Sequence, residues 1–179
     1  MQNLFDRFQT SADTTAPQNH PPRDKAQWRS YILHRLRPWE FLTAPIIYAM
    51  IVPFVLIDLF VTVFQWTCFP VYRIPRVRRR DYIAMDRGKL AFLNPLQRLN
   101  CIYCEYCNGV AAYVQEVTGR TEYYWCPIKH ARKLKNPHRF YGNFIDHDDG
   151  ARWDAEFFKL KEDARACEGC AGCGDRPEA

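Results

Sequence analysis

Apolar and polar positions along the chain follow three regimes, and the sharpest is a long apolar run. Between Phe41 and Tyr72 the only residue charged at neutral pH is Asp58. As a helix rising ~1.5 Å per residue, residues 44–66 would span roughly 34 Å, enough for the hydrocarbon core of a bilayer. Pro53 lies in the middle of the run, where it removes a helical hydrogen bond and predicts a kink. Asp58 would cost about 2.5–3.5 kcal/mol at the centre of an inserted helix. Two forms fit: one kinked span, or a re-entrant helix-break-helix that turns at Pro53 and leaves both ends on one face. A core helix of a soluble domain is the bland alternative.

Before the run, Trp28, Tyr31, Ile32 and Leu36 recur near one face, with Lys25, Arg29 and Arg35 around the rest, so an amphipathic helix is expected from Asp24. After it, "DYIAMDRGKLAFLN" reads as two short strands around an Asp-Arg-Gly-Lys turn. Asn94 followed by Pro95 is a helix start, cap then first-turn proline. Val110, Val114, Val117 and Tyr124 recur at helical spacing, as do Trp153, Phe157, Leu160 and Ala164. The resulting division is a polar tail over 1–22, a juxtamembrane helix over 23–40, a membrane segment over 41–72, a small domain over 73–165 and a Cys-rich tail over 166–179.

Charge sharpens the membrane reading. The formal net charge is +5, and much of the positive charge borders the apolar run. Arg29, Arg35 and Arg37, beside Trp28, precede it; Arg73, Arg76, Arg78, Arg79 and Arg80 follow it. Basic residues on both flanks give no orientation, because that rule works by asymmetry. They do suit anionic lipids at a membrane surface, and nucleic acid is not the expected partner.

Eight cysteines change the picture again. The first forty residues carry no apolar core of an export leader, so the thiols are expected to stay reduced on the cytoplasmic side of a bacterial inner membrane. Clustered Cys-x-x-Cys then points to metal chemistry. Cys101 and Cys104 form one chelating pair; Cys126 and His130 form another if Pro127 opens a helix and sets them one turn apart. An intervening helix would bring the two pairs together around a structural zinc. The rival set is Cys101, Cys104, Cys107 and Cys126 followed by Pro127, which matches the ligand grammar of a [4Fe–4S] cluster. A second beat at Cys167, Cys170 and Cys173 offers a secondary metal or redox site, or a merely flexible chelating tail. Cys68 reads as an inert thiol, His138 has no visible partner, and "DHDDG" reads as a solvated turn and helix start. Asp58 is either a functional intramembrane acid or a residue paired within an assembly. No P-loop, dinucleotide fingerprint, His-Glu-x-x-His or Gly-x-Ser-x-Gly is present.

"LAFLNPLQRLNCIYCEYCNG" with "EYYWCPIKHARK" resembles a family of bacterial, mainly proteobacterial, membrane-associated proteins of unassigned activity. The resemblance covers roughly residues 35–165 and neither tail. It implies an N-terminal membrane anchor and a small Cys-containing domain. Cys101, Cys104, Cys126 and His130 lie in the parts that carry it, and the final "CEGCAGC" does not.

The expected fold is mainly α: a membrane-embedded helix, kinked span or re-entrant, followed by a small α+β Cys/His metal-binding domain. The expected function is that of a zinc-stabilised membrane protein acting in interaction or assembly with a membrane protein partner. An iron–sulfur electron-transfer module is the first alternative, and a membrane-surface enzyme acting on lipid-linked substrates is the second.

Overall fold

An apolar segment must satisfy its backbone polar groups internally, and a helix does this with neighbouring residues alone. The computed structural model describes residues 38–90 and 92–167. Helix α1 covers Pro38–Ala49 and α2 covers Ile51–Tyr72, with Met50 alone between them. Pro53 accounts for the break, since it has no amide proton to offer the Ala49 carbonyl. The ladder crosses the gap through a Met50 amide to the Ile47 carbonyl at 3.2 Å and a long Phe54 bond to Met50 at 3.4 Å. Residues Leu42–Tyr72 thus form one run long and apolar enough to cross a membrane, with a mean hydropathy of 2.5 and 6% of its apolar window buried. The run ends at Arg73, which takes the left-handed conformation at φ 59°. The Ile74 amide then closes the helix on the Phe69 carbonyl at 2.9 Å.

Helix α3 is a single element of 31 residues, Pro95–Trp125. Its start is the expected one: the Asn94 side-chain Oδ1 accepts from the Gln97 backbone amide at 2.8 Å, and the Gln97 side chain accepts from the Asn94 backbone amide at 3.1 Å. Helix α4 covers Gly150–Ala166 and is capped by Asp149, which accepts from the Arg152 amide at 2.9 Å.

The α+β expectation for the region after the apolar run is overturned. Among the described residues there is no strand, only one isolated parallel bridge between Ile128 and Ile145. The stretch 81–94 cannot pair as a hairpin because its amides close short turns of their own, at Arg79–Asp81 and Arg87–Lys89. The Arg87 amide goes instead to Glu105 Oε1 on α3, at 2.8 Å.

Contacts advance together along α1–α2 and α3: Tyr48 with Asn100, Asp58 with Tyr106, Gln65 with Tyr113, Tyr72 with Tyr124. The apolar run and α3 therefore lie side by side and parallel. The connecting arm, 73–94, returns antiparallel against both, with Val77 at Gln65, Arg79 at Asp58, Ile83 at Gly109 and Gly88 at Ile102. Gly109 makes this possible, because a Cβ there would stand 2.9 Å from the Ile83 Cα and from the Tyr82 carbonyl oxygen. A core of Phe69, Val117, Tyr123, Phe140, Phe144 and Leu160 joins the end of α2 to α3, α4 and the 138–145 loop.

Candidate functional site

The two buried polar side chains of the apolar run, Asp58 and Gln65, face α3. Asp58 is 7% exposed and Gln65 3% exposed, while Leu42, Ile46, Phe60 and Val71 on the other faces are each more than two-thirds exposed. The Asp58 carboxylate accepts from Arg79 Nη2 at 2.6 Å and Nε at 3.0 Å, and from the Tyr106 hydroxyl at 2.9 Å. Gln65 donates to the Val77 carbonyl at 3.1 Å and the Tyr113 hydroxyl at 3.0 Å, and accepts from the Val77 amide at 2.6 Å. Asp58 and Gln65 are seven residues apart, as are Tyr106 and Tyr113, so parallel helices bring both pairs into register. Asp58 is thus paired within its own chain, by Arg79 and Tyr106.

The arginines that follow the run do not form a uniform fringe. Arg79 is committed to Asp58, while the Arg76 guanidinium lies 4.2 Å over the Trp66 ring. Arg80 makes only a 3.8 Å approach to Asp81. Arg73 forms the helix cap. Trp28, Arg29, Arg35 and Arg37 lie outside the described residues, as does most of the helix expected over 23–40.

The four residues expected to share a zinc are not brought together. Cys101, Cys104 and Cys107 lie within the unbroken helix α3, and Cys126 is its C-cap. A rigid helix between them separates the two pairs by roughly 33 Å from Cys104 to Cys126. The linking helix was expected to unite the two pairs, yet it holds them apart. Pro127 also opens no helix, because 126–130 is extended around the Ile128–Ile145 bridge. The His130 amide donates to the Tyr141 hydroxyl at 2.6 Å, and its ring stacks on that of Tyr141. The iron–sulfur set fails for the same reason, with Cys107 about 28 Å along the axis from Cys126. Among the described residues no group of three or more His, Cys, Asp or Glu side chains is placed to hold a metal ion.

On α3, Cys104 is exposed and Cys107 buried. Burial pushes the Cys107 thiol above its ordinary range, which disfavours the thiolate that binds metals and reacts. Cys68 is a free thiol within α2. Cys167 is buried and disulfide-bonded; Cys170 and Cys173 lie outside the described residues.

Other polar groups matter that the spacing of cysteines obscured. Glu116 on α3 is buried between Arg120, 3.0 Å from its Oε1, and Arg139, which reaches both carboxylate oxygens at 2.5 and 3.0 Å. Arg120 also donates to the Pro75 carbonyl at 2.8 Å and the Cys167 carbonyl at 3.3 Å, tying the arm and the end of α4 to α3. His138 does have a partner: its Nε2 is 2.9 Å from Glu122 Oε2, in space left by Gly119. Tyr106, Val110, Tyr113, Val117, Arg120 and Tyr124 form one seam at alternating steps of four and three. That period runs straight through the cysteine segment, and it was the available signal for Tyr106, Tyr113 and Arg120.

No family model matches the chain, and neither a curated protein nor a solved structure matches it.

Proposed function

We propose that this is a membrane-surface interaction protein whose apolar run lies in the plane of one leaflet, with α3, α4 and the arm on the water side. The carrying observation is the placement of the arm along the second half of the apolar run, from Gln65 back to Asp58. Asp58 is near the midpoint of Leu42–Tyr72, and Arg79 is paired with it. A run crossing the bilayer would carry Arg78, Arg79, Arg80 and Asp81 to the middle of the hydrocarbon. The Arg80 side chain is 80% exposed and that of Asp81 58% exposed, so neither is sheltered. Each such charge costs about 2.5–3.5 kcal/mol at that depth. In-plane embedding buries the same apolar faces in lipid and leaves every one of these charges in water.

This reading replaces the zinc-stabilised domain with one held by an aromatic core and a charged cluster, and it keeps interaction or assembly as the role. The test is impermeant maleimide labelling of Arg80→Cys, Lys89→Cys and Lys133→Cys in right-side-out and inverted membranes, with each site read by peptide mapping. Lys89 and Lys133 lie near opposite ends of α3. In-plane embedding gives labelling of all three from one side. Labelling of Lys89→Cys and Lys133→Cys from opposite sides, with Arg80→Cys silent, would establish a span sheltered inside an oligomer and overturn the proposal.

A further inference from the structure

The arm and α2 leave a half-open cleft of about 450 Å³ between them. Thr62 and Trp66 of α2 form one wall, Arg76, Arg78 and Arg79 the other, with Tyr113 at the floor. We propose that this cleft binds the phosphate of an anionic phospholipid headgroup. The inference rests on the membrane reading above and assigns to that surface a specific ligand chemistry.

The first support is charge. Three arginines and no acid line the cleft, and of the three only Arg79 is committed to a carboxylate, that of Asp58. Neither Arg76 nor Arg78 is within salt-bridge distance of an acid among the described residues. Two positive charges are therefore left uncompensated in one concavity, the charge a phosphate mono- or diester neutralises. The second support is preorganisation. Arg76 is held against the Trp66 ring, and the arm backbone is fixed at Val77, whose carbonyl accepts from Gln65 and whose amide donates to it. The guanidinium groups thus approach the cleft from a braced segment, which lowers the ordering cost of binding. Thr62 adds a hydroxyl for which no partner is recorded among the described residues.

The third support is location. Trp66 is 61% exposed at the rim, and Val63 beside it is 52% exposed. A headgroup in the cleft would let its acyl chains run along the exposed apolar face of α2, with Trp66 at the level where tryptophan sits at membrane interfaces. A free phosphate would use the same guanidinium groups but leave that face unengaged.

The full-length chain in neutral-detergent micelles is to be titrated with phosphatidylglycerol, phosphatidylcholine and inorganic phosphate, with bound ligand read by native mass spectrometry. Preferential retention of phosphatidylglycerol is expected. Replacing Arg76→Gln together with Arg78→Gln should weaken it by roughly 30-fold, while Arg132→Gln with Lys133→Gln, removing the same charge from an exposed loop, should leave it unchanged. Both arginines are exposed, and an unaltered melting midpoint in detergent verifies that the variant is folded. Equal loss in the two double variants would reduce the effect to net charge and overturn the site. Equal retention of the two lipids would overturn it as well. Inorganic phosphate binding as tightly as the lipid would assign the cleft to a soluble phosphate instead. Recovery of the chain in the soluble fraction without detergent would refute the membrane reading by itself, and the micelle titration would still report on the cleft.

Discussion

The two halves of α3 bury polar groups against different neighbours, and they do so by different means. The first half meets the apolar run. There the buried polar residues are single and neutralised one by one: Asp58 by Arg79 and Tyr106, Gln65 by Tyr113 and the Val77 backbone. The second half meets the end of α2, through Phe69 and Tyr72, together with α4 and the 138–145 loop. There the charges are pooled, with Glu116 shared by Arg120 and Arg139 inside an aromatic shell that includes Tyr123, Phe140 and Phe144. The seam along the run is narrow and leaves most of the apolar side chains of α2 exposed. The other half has a core of its own. An exposed apolar surface and a self-supporting core can thus be built on a single helix, with Asp58 and Gln65 paired at the boundary between them.

The largest expected effect breaks the second half. Glu116→Ala leaves the Arg120 guanidinium, 6% exposed, without its counter-charge, and should cost about 3–5 kcal/mol. Chemical denaturation of the detergent-solubilised chain measures the loss. Hydrogen exchange should place it in α4 and the 138–145 loop, with α2 unaffected. Asp58→Ala breaks the first half instead. Because the Arg79 side chain is 46% exposed, water takes over part of its solvation, and the cost is about 1.5–3 kcal/mol. Exchange should then rise in the arm and not in α4; a rise in both would mean that the halves are one cooperative unit.

Gly109→Ala tests the close approach of the arm. The added methyl meets backbone atoms at 2.9 Å and not a side chain that can rotate away, so the arm must move, at about 1–3 kcal/mol. Faster proteolysis within 78–90 is the expected sign, and unchanged cleavage would show that the arm yields freely. The smallest effect has the opposite sign. Arg73→Gly removes the penalty of a side chain at φ 59° and should raise stability by about 0.5–1 kcal/mol, provided the melting is done away from anionic lipid.

Much of this architecture can be read in the sequence where local signals act alone. The apolar run, the Asn94-Pro95 start, the Asp149 start and the Leu160/Ala164 face of α4 are all where pattern and capping chemistry put them. The cysteine segment was not legible in the same way. A beat of three suits a metal knuckle and also suits one side of a helix, and the cysteines drew attention from the Tyr106–Val110–Tyr113–Val117 period that decides between them. The return of the arm was equally hidden, because its direction depends on Asp58, Gln65 and Gly109, all remote in sequence. Partnering of Asp58 was open as a possibility, but nothing local identified Arg79 over its four basic neighbours.

The parallel seam also bears on the moment of synthesis. Asp58 leaves the ribosome 21 residues ahead of Arg79 and 48 ahead of Tyr106. At an elongation rate of roughly 5–20 residues per second, its counter-ion follows after about 1–4 s and its phenol after about 2–10 s. For that interval a carboxylate stands unaccompanied in the middle of a greasy helix. On the in-plane reading proposed above, a segment in this condition is discouraged from threading through a bilayer and stays near the interface until the arm folds back over it. The one acid in the run can therefore act as a brake during biogenesis, before it becomes a structural pair.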